Sequence, residues 1–131
     1  MKNRLTLVVF ICARLALPAV TAEETDQHKS RMDDAMDIEY DLRDALTAKA
    51  LPKAAETADK LAKIGEDEER YWVKAQFDDV LSLARENLAA AREIAATARA
   101  GKADEAAEAF ARLDQSCKSC HDLHPEKRAN R

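Results

Sequence analysis

The sequence predicts an all-α protein in which four helices form an antiparallel up-down-up-down bundle. Alanine, leucine, glutamate, lysine and arginine, which are the strongest helix formers, dominate the chain. Only two glycines are present, and β-branched residues are sparse after residue 22. The breaks between the predicted helices are short, which favours antiparallel neighbours and therefore the simplest bundle topology.

Proline and glycine divide the chain into the four predicted helices. Their approximate bounds are residues 25–50, 52–64, 66–100 and 102–125. Pro52 suits the first turn of the second helix, and Gly65 suits a left-handed C-cap at its end. The predicted second helix is then much shorter than the third. Either the loop between them is longer than these bounds allow, or the third helix extends beyond its neighbour.

Apolar side chains recur at three-to-four spacing, as expected for buried helix faces. The predicted face of the third helix comprises Val73, Phe77, Val80, Ala84, Leu88, Ala91, Ile94 and Ala98. The predicted face of the fourth comprises Ala106, Phe110, Leu113, Cys117, Cys120 and His121.

Residues 1–22 resemble a cleaved signal peptide. Lys2 and Arg4 precede a mostly apolar run, and small residues around Ala22 suit a signal peptidase. The run is too short for a membrane span and is interrupted by Arg14. We therefore expect export to the periplasm or an equivalent compartment, no membrane span after cleavage, and one mature domain of residues 23–131.

The charge balance argues against a nucleic-acid partner. The whole chain carries −4, and residues 1–22 contain three basic residues and no acidic residue, so residues 23–131 carry −7. Basic runs that would track a phosphate backbone are absent from the mature sequence.

Chemistry is concentrated near the C-terminus, where Cys117, Cys120 and His121 form a Cys-x-x-Cys-His motif. This is the attachment pattern of haem c, in which two thiols bind the vinyl groups and the histidine is the proximal iron ligand. On a helix these residues stand at i, i+3 and i+4, so they project from one face. The motif predicts one covalent haem c, held by Cys117 and Cys120 and ligated by His121.

Three other interpretations of the motif are less consistent with its setting. A redox dithiol usually has a βαβ context, which is lacking here. A zinc site would use Cys117, Cys120, His121 and His124, but residues on one regular helix do not easily surround a metal tetrahedrally. A disulfide between the two cysteines would close a very small loop and stabilise little.

Several other conspicuous residues are expected to have structural roles. His28, near the start of the first helix, and His124, near the haem edge, are predicted to be surface residues. Tyr71, Trp72 and Phe77 are expected to pack in the core or at the bundle end. The acidic residues 33–37 and 66–69 are expected to form solvated faces.

With the motif so near the C-terminus, the chain resembles the class II cytochromes c, or cytochrome c prime group. That resemblance implies a four-helix bundle and a possible homodimer. Residues 101–121 and 32–36 are also similar to the soluble periplasmic b-type cytochromes, which implies Met36 as the distal axial ligand, with Met32 as the alternative. Arg31 stands five residues before Met36, whereas the cytochromes c prime have an arginine four before the distal position.

These features predict an electron-transfer protein with no catalytic residues, not an enzyme. Its expected partners are redox proteins, docking where Lys118, Lys127, Arg128 and Arg131 gather near the haem edge. The alternative is a five-coordinate haem protein that binds NO or CO. A peroxidase is the weaker third interpretation, because a polar distal pocket with acid and base residues is not evident.

Overall fold

The computed structural model describes residues 19–125, a range that contains helices and no strands. The helices are α1 (Ala22–Thr47), α2 (Leu51–Ala75), α3 (Asp78–Arg99) and α4 (Ala103–Leu123). They pack against one another, as in a four-helix bundle. For the described residues, the predicted all-α class and the predicted number of helices are thus confirmed. Two predictions lie outside this range: residues 1–18 of the predicted signal peptide, and the basic residues Lys127, Arg128 and Arg131.

A capping box begins α1 three residues earlier than predicted. The Glu24 backbone N–H donates to the Thr21 hydroxyl at 3.1 Å, and the Thr21 backbone N–H donates to the Glu24 carboxylate at 2.8 Å. These reciprocal bonds satisfy N–H groups that have no partner within the helix. The described end of the predicted signal peptide, residues 19–22, therefore includes the N-cap of α1.

The predicted end of the second helix at Gly65 is wrong, since α2 continues to Ala75. Its C-cap is Gln76, which adopts the left-handed conformation with φ of 59°. The acidic residues 66–69 consequently lie within α2, and Asp78 and Asp79 occupy the first turn of α3 instead. The predicted difference in length between the second and third helices is therefore not observed, since α2 has 25 residues and α3 has 22.

Gly65 has a packing role, because a Cβ at this position would lie 3.3 Å from both Cβ and Cδ1 of Leu88. The missing side chain allows α2 and α3 to approach closely. Glycine in a helix interior costs about 0.5–1 kcal/mol of stability relative to alanine. The close contact between α2 and α3 explains why a glycine occurs here despite that cost.

We expect Gly65→Leu to destabilise the protein by about 1–3 kcal/mol through overpacking against Leu88. Gly65→Ala should change stability little, because improved helix propensity offsets the tight contact. Urea unfolding of both variants, beside Lys53→Leu at an exposed position of α2, measures the effect. Equal stability of Gly65→Leu and Lys53→Leu would contradict this explanation.

Among residues 19–125, the buried apolar side chains form two clusters. The larger one runs through all four helices and includes Leu42, Leu88, Ile94 and Leu113. The smaller one comprises Trp72, Val80 and Ala84, at the end of the bundle where α2 joins α3. Most of the predicted buried face of the third helix is buried. Two of its members are not: Val73 lies on α2 with 52% exposure, and Phe77 is the N-cap of α3 with 43% exposure.

Within the described range, none of the helices combines the length and apolar content needed to cross a lipid bilayer.

Candidate haem-attachment site

The three motif residues lie together on the last two turns of α4, which ends at Leu123. Cys117, Cys120 and His121 are all partly buried, whereas Lys118 between them is exposed. The two cysteines are separate thiols. One face of the helix therefore carries both potential thioether sulfurs and the imidazole, as the spacing predicts.

The two cysteines stand where the apolar core divides. Cys117 packs against the larger cluster, and Cys120 packs against the smaller cluster around Trp72. A macrocycle attached to both sulfurs would therefore have apolar surface on either side of the division. This placement fits the requirement that haem be held in largely apolar surroundings.

The side-chain amide of Asn87, on α3, lies beside the first cysteine of the motif. Asn87 Oδ1 is 3.6 Å from Cys117 Sγ and also accepts a hydrogen bond from the Ser116 hydroxyl. Burial, reinforced by the negative charges of Glu39 and Asp114, raises the pKa of Cys117 to about 12. Because the thiolate is the nucleophilic form, the raised pKa makes the Cys117 thiol a weak nucleophile in the folded bundle.

Helix α1 faces the motif helix through a polar cluster. Arg43 donates to Glu39 at 3.0 Å and to Asp114 of α4 at 3.4 Å. Burial and the adjacent Asp114 raise the pKa of Glu39. Asp114 also bonds Lys118, which lowers the pKa of Asp114.

Both candidate methionines lie on the partly buried part of α1. Met32 and Met36 are intermediate in exposure, and no residue from 29 to 41 is fully buried. The flanking positions His28 and Leu42, in contrast, are 5% and 0% exposed. The side chains of this stretch thus retain surface that a bound group could cover.

The prediction that His28 is a surface residue is wrong. His28 Nδ1 lies 2.6 Å from Glu68 Oε2, and the ring stacks on Tyr71 with centroids 4.6 Å apart. Arg31 donates through Nε to the other Glu68 oxygen at 2.7 Å. The prediction that Glu68 belongs to a solvated face is also wrong, because Glu68 is only 4% exposed.

The aromatic residues pack at the bundle end, as predicted. Trp72 is 4% exposed and contacts the rings of Tyr71 and His28 edge to face. Phe77 is 43% exposed and lies between Trp72 and His124. These contacts form one aromatic cluster beside Cys120, because Trp72 belongs to the core cluster against which Cys120 packs.

His124 caps the end of α4 and reaches α3. Its Nε2 lies 2.8 Å from Asp79 Oδ2, and this hydrogen bond lowers the pKa of Asp79. The partner is on the first turn of α3, so His124 helps hold the two helix ends together beside the motif.

A haem at this site would need few metal ligands from the protein. Within residues 19–125, no group of three or more histidine, cysteine or acidic side chains converges as a metal site of protein ligands alone. A porphyrin supplies the four equatorial ligands of its iron, so the protein contributes only axial ligands. The residues present therefore fit a haem, which Cys117 and Cys120 could hold and to which His121 could offer its imidazole.

No family model, characterised protein or solved structure matches this chain. The functional argument accordingly rests on the motif and on the residues that surround it.

Proposed function

We propose that this protein is an exported monohaem c-type cytochrome that acts as an electron-transfer protein. The observation that carries the proposal is the shared face of Cys117, Cys120 and His121 at the division of the apolar core. When bound, haem supplies reversible one-electron chemistry at its iron. The chain would contribute the two thioether links, the proximal imidazole and an apolar environment.

The proposal includes an antiparallel up-down-up-down arrangement. Pairs between α1 and α2 support it, because Glu24 bonds Lys74 while the later His28 bonds the earlier Glu68. Between α3 and α4 the same reversal applies, since Asp79 bonds His124 and Glu93 bonds Arg112. The C-terminal motif then lies beside the N-terminal half of α1.

A register argument within this proposed arrangement supports Met36 as the residue opposite His121. Arg43 contacts Asp114 across the α1–α4 interface. Seven residues make nearly two helical turns, so a step of seven keeps the same face and moves about 10 Å along the axis. Met36 is seven residues before Arg43 in α1, and His121 is seven residues after Asp114 in α4. In antiparallel helices both steps run in the same direction. We therefore retain Met36 as the proposed distal ligand, with Met32 one turn further along the helix.

An electron carrier must exchange one electron reversibly and without turnover. We expect a potentiometric titration of the purified holoprotein, followed by visible spectra, to fit a single one-electron step in both directions. A haem that cannot be cycled reversibly, or that oxidises only with consumption of peroxide, would overturn the carrier function.

We also propose that redox partners dock at the end bearing the motif. Lys118 is exposed there, and Lys127, Arg128 and Arg131 follow in the sequence against Asp122 and Glu126. Charges that surround a reactive edge accelerate encounter with a partner of opposite charge, and salt weakens the effect.

The rate of electron transfer to an anionic partner should therefore fall as ionic strength rises. Reversing Lys127 and Arg128 to glutamate should lower the low-salt rate by about tenfold. Lys49→Glu with Lys53→Glu, at the opposite end of the proposed bundle, is the control with the same change in net charge. Stopped-flow rates that respond equally to both pairs would show that net charge, rather than this end of the protein, controls the encounter.

A further inference from the structure

Two ion-paired contacts delimit the part of α1 that faces the proposed haem. On the N-terminal side, His28 and Arg31 contact Glu68 of α2; on the C-terminal side, Arg43 contacts Asp114 of α4. We call residues 32–39, which lie between these contacts, the distal segment. It contains both candidate methionine ligands.

The contact to Glu68 is the more buried of the two. The side chains of His28 and Glu68 are 7% and 6% exposed, and that of Arg31 is 20% exposed. Each carboxylate oxygen of Glu68 is matched to a different side chain of α1, so the contact fixes both position and rotation of this helix relative to α2. Hydrogen bonds to a buried charged group are among the strongest in proteins.

Apolar packing does not fix the distal segment in the same way. From residue 29 to 41 no side chain of α1 is fully buried. The nearest fully buried apolar residue is Leu42, beyond the C-terminal end of the segment. The separation of the distal segment from α4 therefore depends on its anchors, of which Glu68 holds the end nearest Met32.

We propose that Glu68 is a positioning residue that, through His28 and Arg31, sets how closely the distal segment approaches the iron of the bound haem. The inference rests on the haem site proposed above. It assigns a role to a buried carboxylate that the motif does not include. Tyr71 contributes by stacking on His28 and by lying 5.9 Å from the Arg31 guanidinium, which orients both partners of Glu68.

The test measures access to the distal side in the intact holoprotein. We compare wild type and Glu68→Gln for the rate of CO binding to the ferrous form and for the ferric spin-state spectrum. In Glu68→Gln, CO should bind about tenfold faster, because losing one charge-assisted bond corresponds to roughly that factor in a local opening equilibrium. The ferric spectrum should shift towards high spin.

Glu24→Gln is the matched control. It makes the same chemical change in another ion pair between α1 and α2, in which Lys74 Nζ lies 2.6 Å from Glu24 Oε1. That pair lies two turns before the distal segment, so CO binding should remain at the wild-type rate. An equal acceleration in Glu24→Gln would overturn the specific role of Glu68.

His28→Gln provides the second variant if Glu68→Gln does not fold. It leaves the bond between Arg31 and Glu68, so we expect a smaller acceleration in the same direction. Wild-type CO rates and spectra in both Glu68→Gln and His28→Gln, with haem still attached, would overturn this inference alone. A wild-type protein without haem would overturn both the inference and the proposed function. A high-spin wild type would reject the methionine ligand, while the CO rates would still decide the role of Glu68.

Discussion

Replacing both Cys117 and Cys120 with serine is expected to abolish haem retention by the denatured polypeptide. In the wild type, two thioether bonds should keep haem on the chain in acidified acetone, which extracts non-covalently bound haem. The double variant has no sulfur to form these bonds, so any haem that it acquires should pass into the solvent. The change is all-or-none because covalent attachment survives the loss of every folded contact.

Ser119→Ala is the matched control within the motif, because it alters a neighbouring side chain without removing a sulfur or the imidazole. It should retain haem as the wild type does. Wild-type protein that releases its haem, or that contains only zinc on metal analysis, would reject the proposed attachment. The zinc result would instead favour the cysteine and histidine site considered above.

The structural setting of Cys117 bears on when the proposed haem attachment could occur. Its thiol has a raised pKa of about 12 and lies against Asn87 inside the bundle. A protonated thiol in a partly buried position reacts slowly. If haem is attached as proposed, we expect attachment to precede closure of the motif end, because both cysteines could then reach the cofactor from the same side.

The helical class, the stripe of α3 and the shared face of the motif could all be predicted from local sequence. Each depends on helix propensity or on the 3.6-residue period, which are properties of a segment by itself. The positions of Ala84, Leu88 and Ile94 in the core follow directly from their spacing and are confirmed. Motif chemistry is similarly local, because Cys117, Cys120 and His121 need only one helix to share a face.

The errors around α2 share one cause, which is the interpretation of Gly65 as a helix end. Glycine often caps helices, but here it relieves a contact with Leu88 within a continuous helix. In the continuous helix α2, Glu68 lies three residues after Gly65 and four residues before Trp72. The helical period therefore places all three on the same side of the helix. The apparent helix end concealed this relation, and with it the buried partner of His28.

Other parts of the site could not be predicted because they depend on which helices become neighbours. Asn87 looks like an ordinary polar residue on α3 until α4 brings Ser116 and Cys117 against it. The pairing of Arg43 with Asp114 spans 71 residues of sequence and depends on the rotation of both helices. A single sequence contains no local signal for either contact.

Met36→Ala is expected to convert the ferric protein from low spin to high spin. The side chain would lose its thioether, and alanine cannot reach the iron from α1. The sulfur-to-iron charge-transfer band should disappear, and CO should bind the ferrous form without first displacing an internal ligand. Visible spectra of both oxidation states, recorded beside Met32→Ala, measure this effect.

The two methionine variants distinguish position along the same helix. Met32 and Met36 are one turn apart and similarly exposed, so loss of general packing should affect stability in both variants. Only the ligand should determine the charge-transfer band. If that band disappears in Met32→Ala and persists in Met36→Ala, the ligand lies one turn nearer the N-terminus than the register with Arg43 and Asp114 indicates. If the wild type is already high spin, neither methionine binds the iron, and the distal segment lines an open coordination site suited to NO or CO.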